Sequence, residues 1–313
     1  MNLADIEKVG VVGGGVMGFG IAINFALNGY PAVISDVSED VLLLSLKHIR
    51  TALDLFVEEQ LITQEQALVA VGRITMTTDL AELAAQSDFV TEAIVERLKD
   101  KQDLFVKLDA LCPPHTILVS NTSGLVLSDI GAGVKRQDKI GLTHYFAPPH
   151  IVPGVEVARG PGTSDETYDM IYNLMKKAGK MPVRVLKEKP GYLLNRIQAA
   201  MMQEAMRLWA EGVATAEEIE LGVQTTFGFR MPHEGPFFHY DLGGIWRWPA
   251  DSGNPYPGMS DSGPSEAVTE KINARRAEKK PWFLDLEKFD EAIEKRDREY
   301  IRRLKALYRS EKK

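Results

Sequence analysis

One cysteine, Cys112, stands in 313 residues, which excludes an internal disulfide framework and points to a reducing compartment. Basic residues are in deficit: 37 lysines and arginines face 44 acids, a formal net charge of −7. That balance argues against nucleic acid or an anionic membrane surface as the main partner. No apolar run approaches the length of a membrane span. Met1-Asn2-Leu3-Ala4-Asp5 leads straight into the first apolar stretch, leaving no room for a signal peptide, so a cytoplasmic protein is expected. There is no H-E-x-x-H and no paired-cysteine site, and the separation of His144 and His150 matches no metal spacing, so no metal is expected. Internal repeats and low-complexity segments are lacking as well.

What the chain does contain is concentrated first in residues 8 to 36. Lys8-Val9-Gly10-Val11-Val12 runs into Gly13-Gly14-Gly15-Val16-Met17-Gly18 and, after a helix-like span, into Ile34-Ser35-Asp36. Gly13 permits a tight turn, Gly15 lets the backbone approach a pyrophosphate at the positive end of a helix, and Gly18 lets helix and strand pack closely. A G-x-G-x-x-G by itself also describes an ordinary βα turn; the flanking strands and the placed acid favour dinucleotide binding. Asp36 accepts the ribose hydroxyls and repels a 2′-phosphate, and Val37-Ser38-Glu39-Asp40 offers no arginine to hold one. The reading is NAD rather than NADP, with Gly13, Gly15, Val16, Met17, Gly18 and Asp36 as contacts.

Further along, residues 16 to 29 carry helical spacing that stops at Gly29, a C-cap, and 38 to 72 read as two helices. Strands are expected at 74–76, 88–94, 116–120, 140–142 and 183–186, with a helix at 98–111. Strands alternating with helices imply an α/β, Rossmann-type, doubly wound and mostly parallel sheet. Composition shifts at Lys187-Glu188-Lys189-Pro190-Gly191. The boundary falls after 188, giving an NAD-binding domain at 1–188 and an all-helical substrate and dimerisation domain at 189–313. The second domain opens with a helix at 192–211 and a capping box at Thr215-Ala216-Glu217-Glu218. It continues through a Gly/Pro/Ser/Asp-rich loop at 251–264 to a charged helix at 285–309, where Phe289, Ile293, Ile301, Leu304 and Leu307 are available for packing.

Oxidising an alcohol with a nicotinamide requires a base for the hydroxyl proton, and a histidine oriented by a carboxylate meets that need. Of six histidines, only His144 closely follows an expected sheet strand, with Glu156 in the next strand-like run, Val155-Glu156-Val157. Ligands of open α/β sheets bind beyond the carboxyl ends of the strands. On residues alone a structural histidine remains open, and Ser120-Asn121-Thr122-Ser123 remains open as a simple polar turn.

Five segments together resemble the 3-hydroxyacyl-CoA dehydrogenase superfamily, which includes gulonate- and carnitine-dehydrogenase-like members. They are Thr91-Glu92-Ala93-Ile94-Val95-Glu96-Arg97, Ser120-Asn121-Thr122-Ser123, Gly141-Leu142-Thr143-His144-Tyr145-Phe146, Val155-Glu156-Val157 and Pro190-Gly191-Tyr192-Leu193-Leu194-Asn195-Arg196. The resemblance implies His144 as general base, Glu156 as its partner, and Ser123 and Asn195 as donors to the reacting oxygen. It also implies that Glu96, Lys101 and Ser123 touch NAD, that a homodimer forms, and that a secondary 3-hydroxyl is oxidised. The β-hydroxyacid dehydrogenases, which place a lysine one helical turn before an asparagine, are set aside because Gly191 precedes Asn195.

The chain departs from that pattern at four places. Ala147 replaces an asparagine three residues after the histidine. Val57-Glu58-Glu59-Gln60 stands where acyl-CoA members carry lysines that reach CoA phosphates, and carboxylates there repel such a ligand; a plain solvated helix face is the other reading. Arg230, in Gly228-Phe229-Arg230, sits where free-acid members carry an arginine, suited to a bidentate grip on a carboxylate; an intrachain ion pair is equally open. The glycine-rich tail motif is replaced by Lys280-Pro281-Trp282-Phe283. A free 3-hydroxy acid is therefore expected ahead of a 3-hydroxyacyl-CoA. A non-catalytic NAD-binding structural or sensory protein is the reading from another class. Trp246 and Trp248 are expected mainly as packing residues.

Overall fold

In the computed structural model, residues 3–249, 270, 273, 274, 276–279, 281 and 283–308 are described. The loop expected at 251–264, Lys280, Trp282 and the helix end at Arg309 lie outside these residues. The chain divides into two compact units, Met1–Met202 and Gln203–Lys313.

The first unit alternates strands and helices. In order they are β1 (Val9–Val12), α1 (Val16–Leu27), β2 (Ala32–Ser35), α2 (Glu39–Glu58), α3 (Gln64–Gly72), β3 (Ile74–Thr77), α4 (Leu80–Ala85), β4 (Phe89–Glu92), α5 (Leu98–Leu111), β5 (Ile117–Ser120), α6 (Leu127–Ile130), β6 (Ile140–Tyr145), β7 (Gly154–Ala158), α7 (Asp165–Lys177) and β8 (Met181–Val185). They form one eight-stranded sheet in the order β3-β2-β1-β4-β5-β6-β7-β8. Every pairing is parallel except β6 with β7. That exception follows from length, because the short loop between β6 and β7 cannot carry the crossover that a parallel return needs.

Apolar residues cover both faces of the sheet, as continuous rather than alternating strands require. Val11 and Ile34 pack with Ile21 and Phe25 of α1 and Ile171 and Leu174 of α7. Val12, Val33, Val90 and Leu118 face the other way, toward Leu83, Phe105 and Leu127. The order reverses between β1 and β4, so the crevice at their carboxyl ends is a topological switch point. There Gly13 N–H bonds to Ser35 O and Ala93 N–H to Val12 O.

Helix ends follow local chemistry. Asn28 is the C-cap of α1, one position before the expected cap, and Gly29 follows it at φ +95°. Tyr30 N–H returns to Phe25 O and Gly29 N–H to Ala26 O, with the two rings edge to face, a Schellman closure. The complete capping box belongs to Thr63 and Gln66 at the start of α3, which the sequence reading passed over. At Thr215 the hydroxyl accepts Glu218 N–H, the forward half of the box expected there.

The long helix α8 (Leu194–Ala210) links the units. The second unit contains α9 (Ala216–Thr225), α10 (Phe227–Arg230), α11 (Pro236–Leu242) and α12 (Phe289–Tyr308), and no strand occurs among its described residues. Trp246 is buried and donates to Asp241 O, whereas Trp248 is 41% exposed. Ile301 and Leu307 of α12 remain more than half exposed, so the expected packing of that helix is only partly met within the chain.

The glycine turn offers a direct check on this packing. A Cβ at Gly18 would lie 1.7 Å from Gly13 O, while one at Gly72 would meet nothing within 4 Å. Gly18→Ala is expected to cost about 1–3 kcal/mol or more and Gly72→Ala roughly 0.5 kcal/mol or less, read by denaturant unfolding. Equal stability of the two variants would contradict the packing of the turn.

Candidate active site

The residues singled out from the first unit gather at one edge of the sheet. At the switch point, a Cβ on Gly13, whose φ is +104°, would lie 2.5 Å from Ala93 O, so the turn abuts β4. A Cβ on Gly15 would meet nothing within 4 Å. Gly15 is also the N-cap of α1 and provides no side-chain cap, so the first N–H groups of the helix, those of Val16 and Met17 among them, are left without a side-chain cap beside the opening over Gly15. Asp36 accepts Gly14 N–H at 2.9 Å and Ser38 N–H at 3.1 Å, which orients its carboxylate beside that opening. This open cradle with a fixed acid fits NAD.

Next along the edge, Glu92 ends β4 and is fully buried. It accepts Lys101 Nζ at 2.5 Å, Ser120 Oγ at 2.5 Å and Ile94 N–H at 2.8 Å. The ammonium of Lys101, 1% exposed, also lies 3.2 Å from Glu96. Glu96 in turn accepts from the Thr122 hydroxyl and from the N–H groups of Ser123 and Gly124. Desolvation acts upward on the Glu96 carboxyl, but these hydrogen bonds and the Lys101 charge outweigh it and hold its pKa below the ordinary value.

Ser120-Asn121-Thr122-Ser123 is thus an organised junction. Ser120 holds Glu92, Asn121 Oδ1 accepts Tyr145 N–H at 2.8 Å, and Thr122 holds Glu96. Asn195 Nδ2 donates to Ser123 O at 3.1 Å. The Ser123 hydroxyl makes no hydrogen bond to any described residue.

His144 and Glu156 are opposed across the antiparallel β6–β7 pair. Nδ1 lies 2.7 Å from Glu156 Oε2, and the side chains are 3% and 0% exposed. The second carboxylate oxygen accepts Leu193 N–H at 3.0 Å and Leu194 N–H at 2.7 Å, at the start of α8. Gly191 at φ +76° and Tyr192 at φ +48° turn the chain so that these donors face Glu156, and Tyr192 OH anchors the turn on Leu125 O at 2.8 Å. An ionised carboxylate only accepts, so Nδ1 carries the hydrogen and Nε2 is left as the acceptor. Phe146, with its ring centroid 4.4 Å from that of His144, packs against the imidazole.

Arg230 belongs to the second unit, where His239 bridges it to Glu234. His239 Nδ1 is 2.7 Å from Glu234 Oε1, Arg230 Nη1 is 3.4 Å from His239 Nε2, and Arg230 Nε is 3.9 Å from Glu234. The guanidinium is therefore partly engaged within the chain.

Residues 8–189 match the 3-hydroxyacyl-CoA dehydrogenase, NAD binding domain, and residues 191–281 the 3-hydroxyacyl-CoA dehydrogenase, C-terminal domain. The chain belongs to the 3-hydroxyacyl-CoA dehydrogenase family. It is 36% identical over 245 residues to the human mitochondrial hydroxyacyl-coenzyme A dehydrogenase, covering 77% of each. It is 33% identical over 240 residues to L-carnitine dehydrogenase of Streptomyces griseus, covering 77% of this chain and 70% of that one. The crystal structure of a 3-hydroxyacyl-CoA dehydrogenase from Archaeoglobus fulgidus superposes with TM-score 0.74 at 26% identity, over 97% and 100% of the two chains. This member of the family is an NAD-dependent dehydrogenase acting on a hydroxyl group.

Sequence reading missed three contributors. Glu92 was visible only as part of a motif, and its burial between β4 and β5 had no local signal. Tyr192 gains its role from a left-handed backbone that the preceding glycine merely hints at. Lys180, just before β8, donates to the carbonyls of Pro149 and, at 2.8 Å, Val152, clamping the loop that follows His144.

Burial pulls the Lys180 ammonium down from 10.5 to about 8. Below about pH 8 it is charged in the folded and unfolded chain alike and carries a desolvation cost. Between about pH 8 and 10.5 the folded chain has released the proton and the unfolded chain has not, so stability at this position rises with pH. The neutral amine keeps two N–H donors for the two carbonyls. Denaturant unfolding of wild type and Lys180→Met is expected to show the wild-type advantage growing from pH 7.5 to 9.5; a constant gap would contradict the clamp as described.

Proposed function

We propose that the chain oxidises the secondary hydroxyl of a free 3-hydroxy acid, with His144, Glu156, Ser123 and Asn195 as the catalytic set. The observation that carries the reading is the buried His144–Glu156 pair, closed from behind by the start of α8 and lying at the same sheet edge as the glycine cradle. NAD, when bound, accepts the hydride. His144 Nε2 takes the hydroxyl proton, and the Glu156 charge stabilises the imidazolium that results. The Ser123 hydroxyl and Asn195 amide hold the substrate oxygen as its charge changes. Gly13, Gly15, Val16, Met17, Gly18 and Asp36 hold the cofactor, with Glu96, Ser123 and the buried Lys101 supporting its nicotinamide end.

Substrate choice rests on α2. Glu58 closes that helix, Glu59 caps it, and both are exposed. Carboxylates at a helix C-terminus oppose the macrodipole, so they gain nothing locally and make this surface repel phosphates. Arg230, partly exposed, is the proposed partner of the substrate carboxylate. The relative named as a carnitine dehydrogenase supports a free hydroxy acid. A 3-hydroxyacyl-CoA substrate is the second reading, supported by the names of the human and archaeal relatives.

In this proposal residues 1–188 bind NAD and residues 189–313 complete the substrate site and the dimer. The homodimer reading is supported by α8, which has no buried residue although Met206 and Trp209 are each 59% exposed. A cytoplasmic setting is supported by the single free cysteine and by the lack, among described residues, of a helix long and apolar enough to cross a membrane.

His144→Ala is expected to lower kcat by about 10²- to 10⁴-fold while leaving NADH affinity nearly intact. NADH formation with free 3-hydroxy acids beside 3-hydroxybutyryl-CoA tests the substrate. Turnover confined to the thioester, with competition by free CoA, would overturn the free-acid reading.

A further inference from the structure

Ser45 lies on the inner face of α2, between the buried Leu42 and Ile49, and is itself fully buried. A hydroxyl in that position needs a partner, and a serine within a helix commonly finds one at the carbonyl four residues back. Ser45 Oγ instead donates to Gly14 O, 31 residues away in the glycine turn. The approach is close: a Cβ on Gly14 would lie 2.8 Å from Ser45 Oγ and 3.2 Å from Val41 Cγ1. Glycine at 14 therefore makes room for α2, whereas the glycines at 13 and 18 make room for Ala93 and for the turn itself.

Both peptide groups of Gly14 are thereby held. Its N–H donates to Asp36 Oδ2 at 2.9 Å, and its C=O accepts from Ser45. In a trans planar peptide the C=O and the following N–H point in opposite directions. With Gly14 O turned toward α2, Gly15 N–H points away from α2, and it makes no hydrogen bond to any described residue. It borders the side where a Cβ on Gly15 would meet nothing within 4 Å. Three successive glycines do not choose this direction by themselves, because without Cβ atoms either sense of the peptide is accessible. The choice is made from outside the turn, by the hydroxyl on α2.

We propose that Ser45 is a positioning residue for NAD: it fixes the Gly14–Gly15 peptide so that Gly15 N–H is presented to the pyrophosphate of the cofactor. The assignment rests on the glycine turn as the NAD cradle. The ribose is read by Asp36, whose other oxygen is fixed by Ser38 N–H at 3.1 Å, so loss of Ser45 leaves that contact in place. Equilibrium binding tests the proposal in wild type, Ser45→Ala and Ser45→Cys, with NADH followed by its fluorescence and ADP-ribose and adenosine by displacement of NADH. Ser45→Ala removes the donor, and Ser45→Cys keeps a side chain of similar size with a weak donor. Ser45→Ala is expected to weaken NADH and ADP-ribose by about tenfold and adenosine by less than about twofold, with Ser45→Cys between wild type and Ser45→Ala. In turnover the loss enters through the KM for NAD rather than kcat. Equal weakening of all three ligands, or unchanged affinity for NADH and ADP-ribose in Ser45→Ala, would overturn the positioning role and leave the glycine cradle standing. Wild type that binds adenosine as tightly as ADP-ribose would overturn the pyrophosphate contact itself.

Discussion

The Glu156 carboxylate accepts from three donors at once: the imidazole of His144 and the backbone N–H groups of Leu193 and Leu194. A fully buried carboxylate costs several kcal/mol unless such partners compensate for the lost water. The three bonds therefore do more than orient a histidine. They draw the start of α8 to β7, next to the edge of the sheet, and they fix which imidazole nitrogen carries its hydrogen. Gly191 and Tyr192 adopt left-handed backbone angles in the turn that makes this approach possible, and the aromatic side chain of Tyr192 is buried in the process.

The same logic repeats along the sheet edge. Glu92 is held by Lys101, Ser120 and Ile94 N–H, and Glu96 by Thr122 and two backbone N–H groups. At this edge β4, β5 and β6 each contribute a polar side chain, Glu92, Ser120 and His144, and each is held by a partner on the neighbouring strand. The outcome is a rigid polar rim around an open glycine cradle, in which the Ser123 hydroxyl is left to meet a ligand. Such preorganisation is what a developing charge on oxygen requires.

Much of the first unit was legible in the residues because its signals are local. Continuous apolar runs marked the buried strands, glycines at 13, 15 and 18 marked the turn, and Asp36 marked the end of β2. The His144–Glu156 pair was legible as two strand residues, though only the antiparallel register of β6 on β7 sets them face to face. What stayed hidden depends on contacts distant in sequence. Lys180 reaches back to carbonyls at 149 and 152, Glu92 finds Lys101 and Ser120, and Gly20 makes room for His150. The complete capping box at Thr63 was local and was overlooked beside the more obvious pattern at Thr215. Arg230 could not be assigned from sequence because its neighbours Glu234 and His239 compete for the same charge.

Family membership defines the cofactor and the class of reaction; the substrate reading proposed above rests on the carboxylates of α2 and on Arg230. Central to the account is that His144 and Glu156 act as one unit. The most direct test is a double-mutant cycle of His144→Ala and Glu156→Gln, read as kcat/KM with the best hydroxy-acid substrate. If the pair is a unit, adding Glu156→Gln to His144→Ala costs little beyond His144→Ala alone. Losses that multiply in the double variant would contradict it.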